Sequence, residues 1–517
     1  MSSSKHVIII GSGIGGLGAA NLLAKLGYEV TVLEKNDYLG GRAGLIEEAG
    51  YRFDKGPSWY LMPDVWEHYF GLLGKKVEDY LTLTQLSPSY RIFFEKNEVP
   101  TPPSLPLERG GVNTVDMYAD VEKTAAYFES LEAGAGEKFK AYLKMTAHAY
   151  ETAKELFMYK NYDSVFDLFD PRARKAKLSP RLLGSMHRYI SKEFKSERIQ
   201  KILQYQLVFL GGSPYNTPAL YSIMNHIDFN MGVFYPMGGI YEIINALVKI
   251  GREFGVTYKT NTAVKRIVVS AGEASGVELE DGTIIESDLV VSNADIYHTE
   301  TALLAREYRE HTEKYWQKRT LAPSAFIMYL GIKDRVSELT HHNLLFAEDW
   351  AQNFADIFDN PKFPERPSVY ICAPSVTDAT VAPAGKENLF VLAPIAPGLE
   401  YTHEFLEEYG NKLLDWMGKE MGVENFRSRI EYRKNYCVKD FAADYNSFKG
   451  TALGLAHTLR QSVFLRPNNI SKRVKGLYYV GAGTNPGIGM PICLISAELL
   501  VKRLLGNATA EPLLKLE

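Results

Sequence analysis

The sequence predicts an α/β fold built on a parallel sheet, joined to a second region of mixed α+β character. Three observations carry this. The chain opens with an uncharged strand that runs into a glycine-rich turn and a helix, VIIIGSGIGGLGAANLLAKLG (7–27). A second strand that ends in an acid, YEVTVLE (28–34), follows at once. Near the far end a further strand runs into another glycine-rich turn and helix, GLYYVGAGTNPGIGMPICLISAELL (476–500).

The first turn reads Gly11-x-Gly13-x-x-Gly16. Gly11 permits the tight turn, Gly13 lets backbone approach a pyrophosphate, and Gly16 allows close helix–strand packing. Free N–H groups and the dipole at the helix N-terminus favour an anion there. Glu34 lies 18 residues past Gly16, where a carboxylate accepts from adenosine ribose hydroxyls and repels a 2′-phosphate. This is a Rossmann-type dinucleotide motif in register, and it argues against NADP. Six residues further on, Gly40-Gly41-Arg42 brings more backbone and a cation toward the phosphates, which suits a ligand longer than NAD. The turn Lys55-Gly56-Pro57-Ser58, closing YRFDKGPS (51–58), would approach the flavin end of FAD.

Along the chain, KNEVPTPPSLPLERGG (96–111) and FDNPKFPERPS (358–368) read as loops. Residues 115–230 read as mainly helical. In 240–254, Ile240, Ile243, Ile244, Leu247 and Phe254 form one helical stripe. VKRIVVSAGEASGVELEDGTIIESDLVVSN (264–293) reads as short strands, with Asp281-Gly282 as a hairpin signal. The tail reads as a strand, GLYYVG, a Gly-rich turn and a helix, ICLISAELLVKRLL (492–505).

Bulk properties exclude several classes. A chain of 517 residues exceeds one compact core, so several domains are expected. A net charge of −4 gives no global field for nucleic acid. Cys372, Cys437 and Cys493 are far apart, which suits reduced thiols buried as small hydrophobes in a cytosolic setting. Residues 7–24 are uncharged but hold too many glycines for a spanning helix and lack a cleavage signal. No Ser/His/Asp set, no H-E-x-x-H and no clustered metal ligands stand out. The adjacent His341 and His342 cannot share a helix face and read as surface or loop residues. His457 reads as packed and hydrogen-bonded.

The stretches GSGIGG, LEKNDYLGGRAG and YRFDKGPS resemble the FAD-dependent amine oxidase-like superfamily. Within it, LVFLGGSPYNTPALYSIMNHIDFNMGVFYPMGGIYEI (207–243), SNADIYHTETALL (292–304), YICAPSVTDATVAPAGKENLFVLAPI (370–395) and QSVFLRPNNISKRVKGLYYVGAGTNPGIGMPICLISAELL (461–500) resemble bacterial-type phytoene desaturases, the carotenoid desaturases. The similarity covers nearly the whole chain.

The resemblance implies FAD held by Gly11, Gly13, Gly16, Glu34, Lys35, Gly41, Arg42, Gly56, Pro57, Ser58, Val264, Gly481, Gly483, Thr484, Gly489 and Met490. The second glycine turn would close over the same cofactor, so an FAD domain would be wound from 1–75, 232–297 and 450–517. Residues 76–231 and 298–449 would form the substrate domain. The implied reaction is desaturation of phytoene or a similar linear polyene drawn into an apolar tunnel. The acceptor, quinone or oxygen, stays open, and NAD(P)H is not expected. Asp167, in NYDSVFDLFD, stands where the family has an acid proposed for the proton step. FDPRARKAKLSPRLLGSMHRYI (169–190) mixes cations with Leu and Met, the pattern of an interfacial segment. The expected setting is therefore cytoplasmic and peripheral to a membrane. The alternatives are a late-pathway carotenoid desaturase, a diapophytoene desaturase, a polyene isomerase or saturase, a polar-substrate flavin oxidase, and a non-redox prenyl-binding escort protein.

Overall fold

The computed structural model describes residues 4–95, 113–164, 167 and 180–516. The Pro-rich stretch 96–111 lies outside them, as do Arg172, Arg174, Lys175, Lys177 and Leu178 of the basic stretch.

The opening unit is β1 (His6–Ile10), α1 (Ile14–Lys25) and β2 (Glu29–Leu33). Val7, Ile8, Ile9, Val30, Val32 and Leu33 are buried. Such near-continuous apolar strands belong in a parallel sheet covered on both faces. Later come α2 (Tyr241–Glu253), β3 (Thr257–Lys259), β4 (Leu289–Ser292), β5 (Leu477–Tyr479) and α3 (Met490–Leu504). The five strands form one parallel sheet in the order β5-β4-β1-β2-β3. Its centre is non-local, since Ile9 of β1 pairs with Val291 of β4.

The apolar stripe of α2 behaves as its spacing predicts. Ile240, Ile243, Ile244 and Leu247 are buried, and Phe254 packs at their margin. Strands Val264–Ser270, Glu273–Leu279 and Ile284–Glu286 form an antiparallel meander. Gly282 takes φ +86° in the expected Asp281-Gly282 turn. The tail helix begins at Met490, two residues before the run ICLISAELLVKRLL, because proline is accepted in a first helical turn; Gly489 (φ +126°) still belongs to the glycine turn.

The second half of the molecule is organised by a sheet of seven strands. In spatial order these are Ile430–Tyr436, Ser324–Ile332, Glu387–Ile395, Val369–Cys372, His342–Phe346, Tyr90–Phe94 and Thr114–Met117. Alternate residues feed two cores, as a strand's period of two requires. Ala325, Ile327 and Tyr329 join one with Phe128, Phe139, Ile190 and Ile202 from the helices. Phe326, Met328 and Leu330 join another with Leu406, Leu413, Leu414 and Met417 of helix His403–Met421. The sheet is thus a buried partition between helical layers.

Candidate active site

One cavity of about 1130 Å³ runs from the opening glycine turn to the second sheet. At one end it is lined by Gly11, Gly13, Glu34, Lys35, Gly41, Arg42 and Val264, and further in by Gly56, Pro57, Ser58, Gly481, Gly489 and Met490.

The two glycine turns meet on Asn293, the residue after β4. A Cβ placed on Gly13 would lie 2.8 Å from its Nδ2, and one on Gly481 2.5 Å from its Oδ1. A Cβ on Gly15 would lie 2.7 Å from Gly481 Cα. Backbone therefore touches backbone, and any side chain would fill the cradle. Gly16 serves packing, since a Cβ there would meet the Gly11 carbonyl oxygen at 2.2 Å. It does not line the cavity.

Helices α1 and α3 both start on glycine, with no side-chain cap and no acid in the first turn. Their first N–H groups and positive dipole ends are left for an anionic ligand. Glu34 is buried at the end of β2. One oxygen accepts from the Ser12 N–H (2.9 Å) and hydroxyl (2.7 Å), the other from the Asn36 N–H (3.0 Å). The carboxylate is thus aimed, with lone pairs left for hydroxyl donors. Arg42 stacks its guanidinium 5.1 Å from the Tyr445 ring centre and donates to Ser447 Oγ at 3.3 Å. Its Nε is buried without a hydrogen-bond partner among the described residues, a donor suited to a phosphate oxygen. Lys35 reaches the Ala443 carbonyl and Asn446 Oδ1, and Lys55 the Tyr38 hydroxyl at 2.8 Å. Burial holds both lysines below the ordinary lysine range. A side-chain-free cradle, two uncapped helix starts, an aimed carboxylate and an orphaned guanidinium N–H together fit an anionic dinucleotide of FAD's kind.

Beyond Ser58 the wall turns apolar. Leu182, Val208, Leu220, Ile223, Met224, Ile227, Leu344, Phe346 and Phe354 line it. Leu183 lines it too while 58% exposed, so the cavity opens to solvent beside it. The acidic cavity residues among those described are Glu34, Glu280, Asp295 and Asp444. Glu280 is bonded through its N–H to the Ala263 carbonyl beside Val264, Asp295 faces the Arg42 charge, and Asp444 lies 3.6 Å from Lys55 Nζ. His457 is buried, and its Nε2 accepts from the Ile488 N–H at 3.2 Å, as a packed histidine should. Burial, helped by the nearby Arg466 charge, keeps it neutral. The ring proton then sits on Nδ1.

Several expected residues fall elsewhere. Asp167 does not line the cavity. Its carboxylate accepts from the Asp163 and Ser164 N–H groups at 2.9 and 2.7 Å, so it caps its own turn. Thr484 donates its hydroxyl to the Pro467 carbonyl (2.8 Å) and is buried away from the cavity. Gly483 packs on Ile296. His341 and His342 are not surface residues: they are 3% and 0% exposed. His342 begins a strand in the middle of the second sheet, and His341 packs its ring on Tyr235. Helix-face reasoning did not apply to a strand entry. Burial pushes His341 down to about 3 and His342 well below the ordinary range, and lifts the Cys372 thiol to about 12.

Two supporting residues escaped sequence reasoning. Asn293 carries no motif of its own, although it directly follows a predicted strand. Arg466 is buried and donates to the carbonyls of Ala482 (2.6 Å), Thr484 (3.1 Å) and Leu455 (3.3 Å). It ties the second glycine turn to its neighbours. Its signal was the Arg-Pro-x-Asn run, which carries no chemistry until the fold brings it to the turn.

This fold and cradle define a dinucleotide-binding protein of Rossmann type, and comparison with known proteins gives its family. The family model described as flavin containing amine oxidoreductase matches residues 14–505. The carotenoid 3,4-desaturase of Haloarcula japonica is 46% identical over 96% of this chain and 97% of that protein. The zeta-carotene-forming phytoene desaturase of Myxococcus xanthus is 34% identical over 99% of this chain and 96% of that one. An oxidoreductase structure from Methanosarcina mazei shares the fold, with a TM-score of 0.63 at 19% identity over 96% of this chain and 100% of that one. The chain belongs to the flavin-containing amine oxidoreductase family, among its carotenoid desaturases. It is an FAD-dependent enzyme.

Proposed function

We propose that this enzyme introduces C=C double bonds into phytoene or a similar linear carotenoid. The observation that carries the reading is the continuity of the cavity. It joins the glycine cradle to an apolar arm on which no Asp or Glu is found among the described residues. An unactivated hydrocarbon offers no polar handle, so the protein contributes position and exclusion of water. When bound, FAD supplies the two-electron acceptor for hydride leaving the carbon chain. Leu344, Phe346 and Phe354 would orient the chain by packing. The start of α3 would favour negative charge developing beside Gly489 and Met490. His457 would hold its proton at Nδ1 and would not act as a base. We place FAD on residues 1–75, 232–297 and 450–517, and the substrate on 76–231 and 298–449.

The relative at 46% identity is named a 3,4-desaturase, against 34% for the phytoene desaturase. This favours a later, partly conjugated carotenoid as a second substrate reading. No helix among the described residues is long and apolar enough to cross a membrane. Exposed Leu183 at the cavity opening supports peripheral contact with the bilayer that dissolves such substrates. The test is anaerobic incubation of the FAD-loaded protein with phytoene in liposomes, following flavin bleaching and the polyene spectrum together. Bleaching with a longer chromophore supports the phytoene reading. Bleaching only with partly conjugated carotenoids moves the substrate to the later step, and bleaching with neither removes the proposal.

A further inference from the structure

Behind the cavity wall lies a side-chain cluster with no part in the proposed chemistry. His342 and Cys372 are register partners on neighbouring antiparallel strands, so their side chains leave the same face directly opposite each other. His341 enters the same strand, and its carbonyl accepts from the Ala373 N–H at 2.7 Å. One ligating atom from each of His341, His342 and Cys372 lies within 4.8 Å of the other two, and all three residues are buried. We propose that His341, His342 and Cys372 form a three-coordinate site for Cu(I).

The imidazoles are prepared for this. His341 Nδ1 is bonded to the Thr377 hydroxyl at 2.8 Å, and His342 Nδ1 to the Tyr370 hydroxyl at 2.8 Å. Metal-binding histidines are held in this way through the nitrogen that does not bind the metal. The other nitrogens, Nε2 of His341 and Nε2 of His342, are both buried without a hydrogen-bond partner among the described residues. A buried polar atom left unpaired is costly, and here two such atoms stand on adjacent residues, one of them the register partner of Cys372. His342 is further fixed by Trp59, stacked at 4.5 Å and 10°. Bound ligands would stand about 3.5 Å apart, from metal–ligand lengths of roughly 2.0–2.3 Å. Side-chain rotations that close the cluster by about an ångström would reach that spacing.

Ligand type and number select the ion. The nearby carboxylates are engaged elsewhere: Asp378 by the Gly238 and Thr380 N–H groups, Asp54 by those of Ile240 and Tyr241. Two neutral imidazoles and one thiolate are the groups that would touch the ion, and none of them is an oxygen ligand. Structural zinc takes four ligands, and the described cluster offers three. Hard cations need oxygen ligands that the cluster lacks, while thiolate with imidazole suits copper. Binding releases the Cys372 proton to solvent and changes no oxidation state.

The test uses the full-length, FAD-loaded protein, equilibrated anaerobically with Cu(I) buffered by a competing chelator. The expected result is about one copper per flavin, with X-ray absorption showing one sulfur and two nitrogen neighbours. Cys372→Ser should weaken copper binding at least about tenfold while the flavin spectrum stays, and Cys437→Ser should leave it unchanged. Should Cys372→Ser fail to fold, the wild-type absorption spectrum decides alone. No stoichiometric copper, a sulfur-free shell, equal loss in Cys437→Ser, or zinc retained in preference to copper would each overturn the proposal.

Discussion

Alanine at Gly15 probes the meeting of the two glycine turns. Its methyl carbon would stand 2.7 Å from Gly481 Cα, 2.8 Å from Gly481 N and 2.7 Å from Asn293 Oδ1. Carbon atoms rest about 3.5–4.0 Å apart, so the gap is short by about 1 Å. Asn293 can rotate. Gly481 is held, because its N–H donates to the Ser496 hydroxyl at 3.1 Å. The strain then moves backbone on both sides of the cradle. Overpacking of this kind costs about 1–3 kcal/mol. If the strain falls on the bound form, that is about a 5- to 150-fold loss of FAD affinity, at tenfold per 1.4 kcal/mol. The assay is FAD titration of the apoprotein by flavin fluorescence, with the unfolding midpoint of the loaded protein alongside. Gly71→Ala is the control. Gly71 lies in helix Pro63–Leu72 with nothing within 4 Å of a built Cβ. It should keep FAD affinity and gain roughly 0.5–1 kcal/mol of stability. A Gly15→Ala protein that binds FAD within twofold of wild type would refute the backbone contact.

Other consequences follow from the same geometry. Arg466→Met strands the buried carbonyls of Ala482, Thr484 and Leu455; we expect at least about 2 kcal/mol lost in denaturant unfolding, and an unchanged midpoint would count against the role. Leu344→Trp fills the apolar arm and should cut turnover of a linear carotenoid about a hundredfold with flavin content intact; equal turnover would show that the substrate lies elsewhere. Asp228 is buried, accepts from Tyr90, Tyr205 and Gln206, and is raised from 3.8 to about 6 chiefly by burial. Because the folded state binds this proton more tightly, the contribution is full below pH 3.8 and is lost as pH rises to about 6. The shift corresponds to about 3 kcal/mol. Stability of Asp228→Asn across pH 4–6 should lack that decline, and parallel wild-type and variant curves would remove Asp228 as its source.

Local patterns were legible wherever one short segment does one job. Gly11 to Glu34 could be read because strand, turn, helix and acid follow in order and build their own geometry. The α2 stripe and the Asp281-Gly282 turn were legible for the same reason. Asp167 and Thr484 were misplaced because a carboxylate or hydroxyl in a motif can turn to the cavity or to backbone. Here the nearest unpaired partners were the N–H groups of Asp163 and Ser164 and the Pro467 carbonyl. His341 and His342 were misread because burial was judged from their neighbours in sequence. Trp59 covers the His342 ring and Tyr235 the His341 ring, so water reaches neither.

By itself the sequence determined the α/β class, the dinucleotide turn, the acid that ends β2 and a resemblance specific enough to name the chemistry. These rest on interactions between residues a few positions apart, or on whole motifs kept intact. Only the tertiary structure decided that Asn293 sits under both glycine turns, that Arg466 holds the second of them, and that the nucleotide end and the apolar arm are one cavity. It also decided that His342 faces Cys372. Each depends on segments far apart in the chain, and sheet register and core packing, which no local pattern encodes, bring them together.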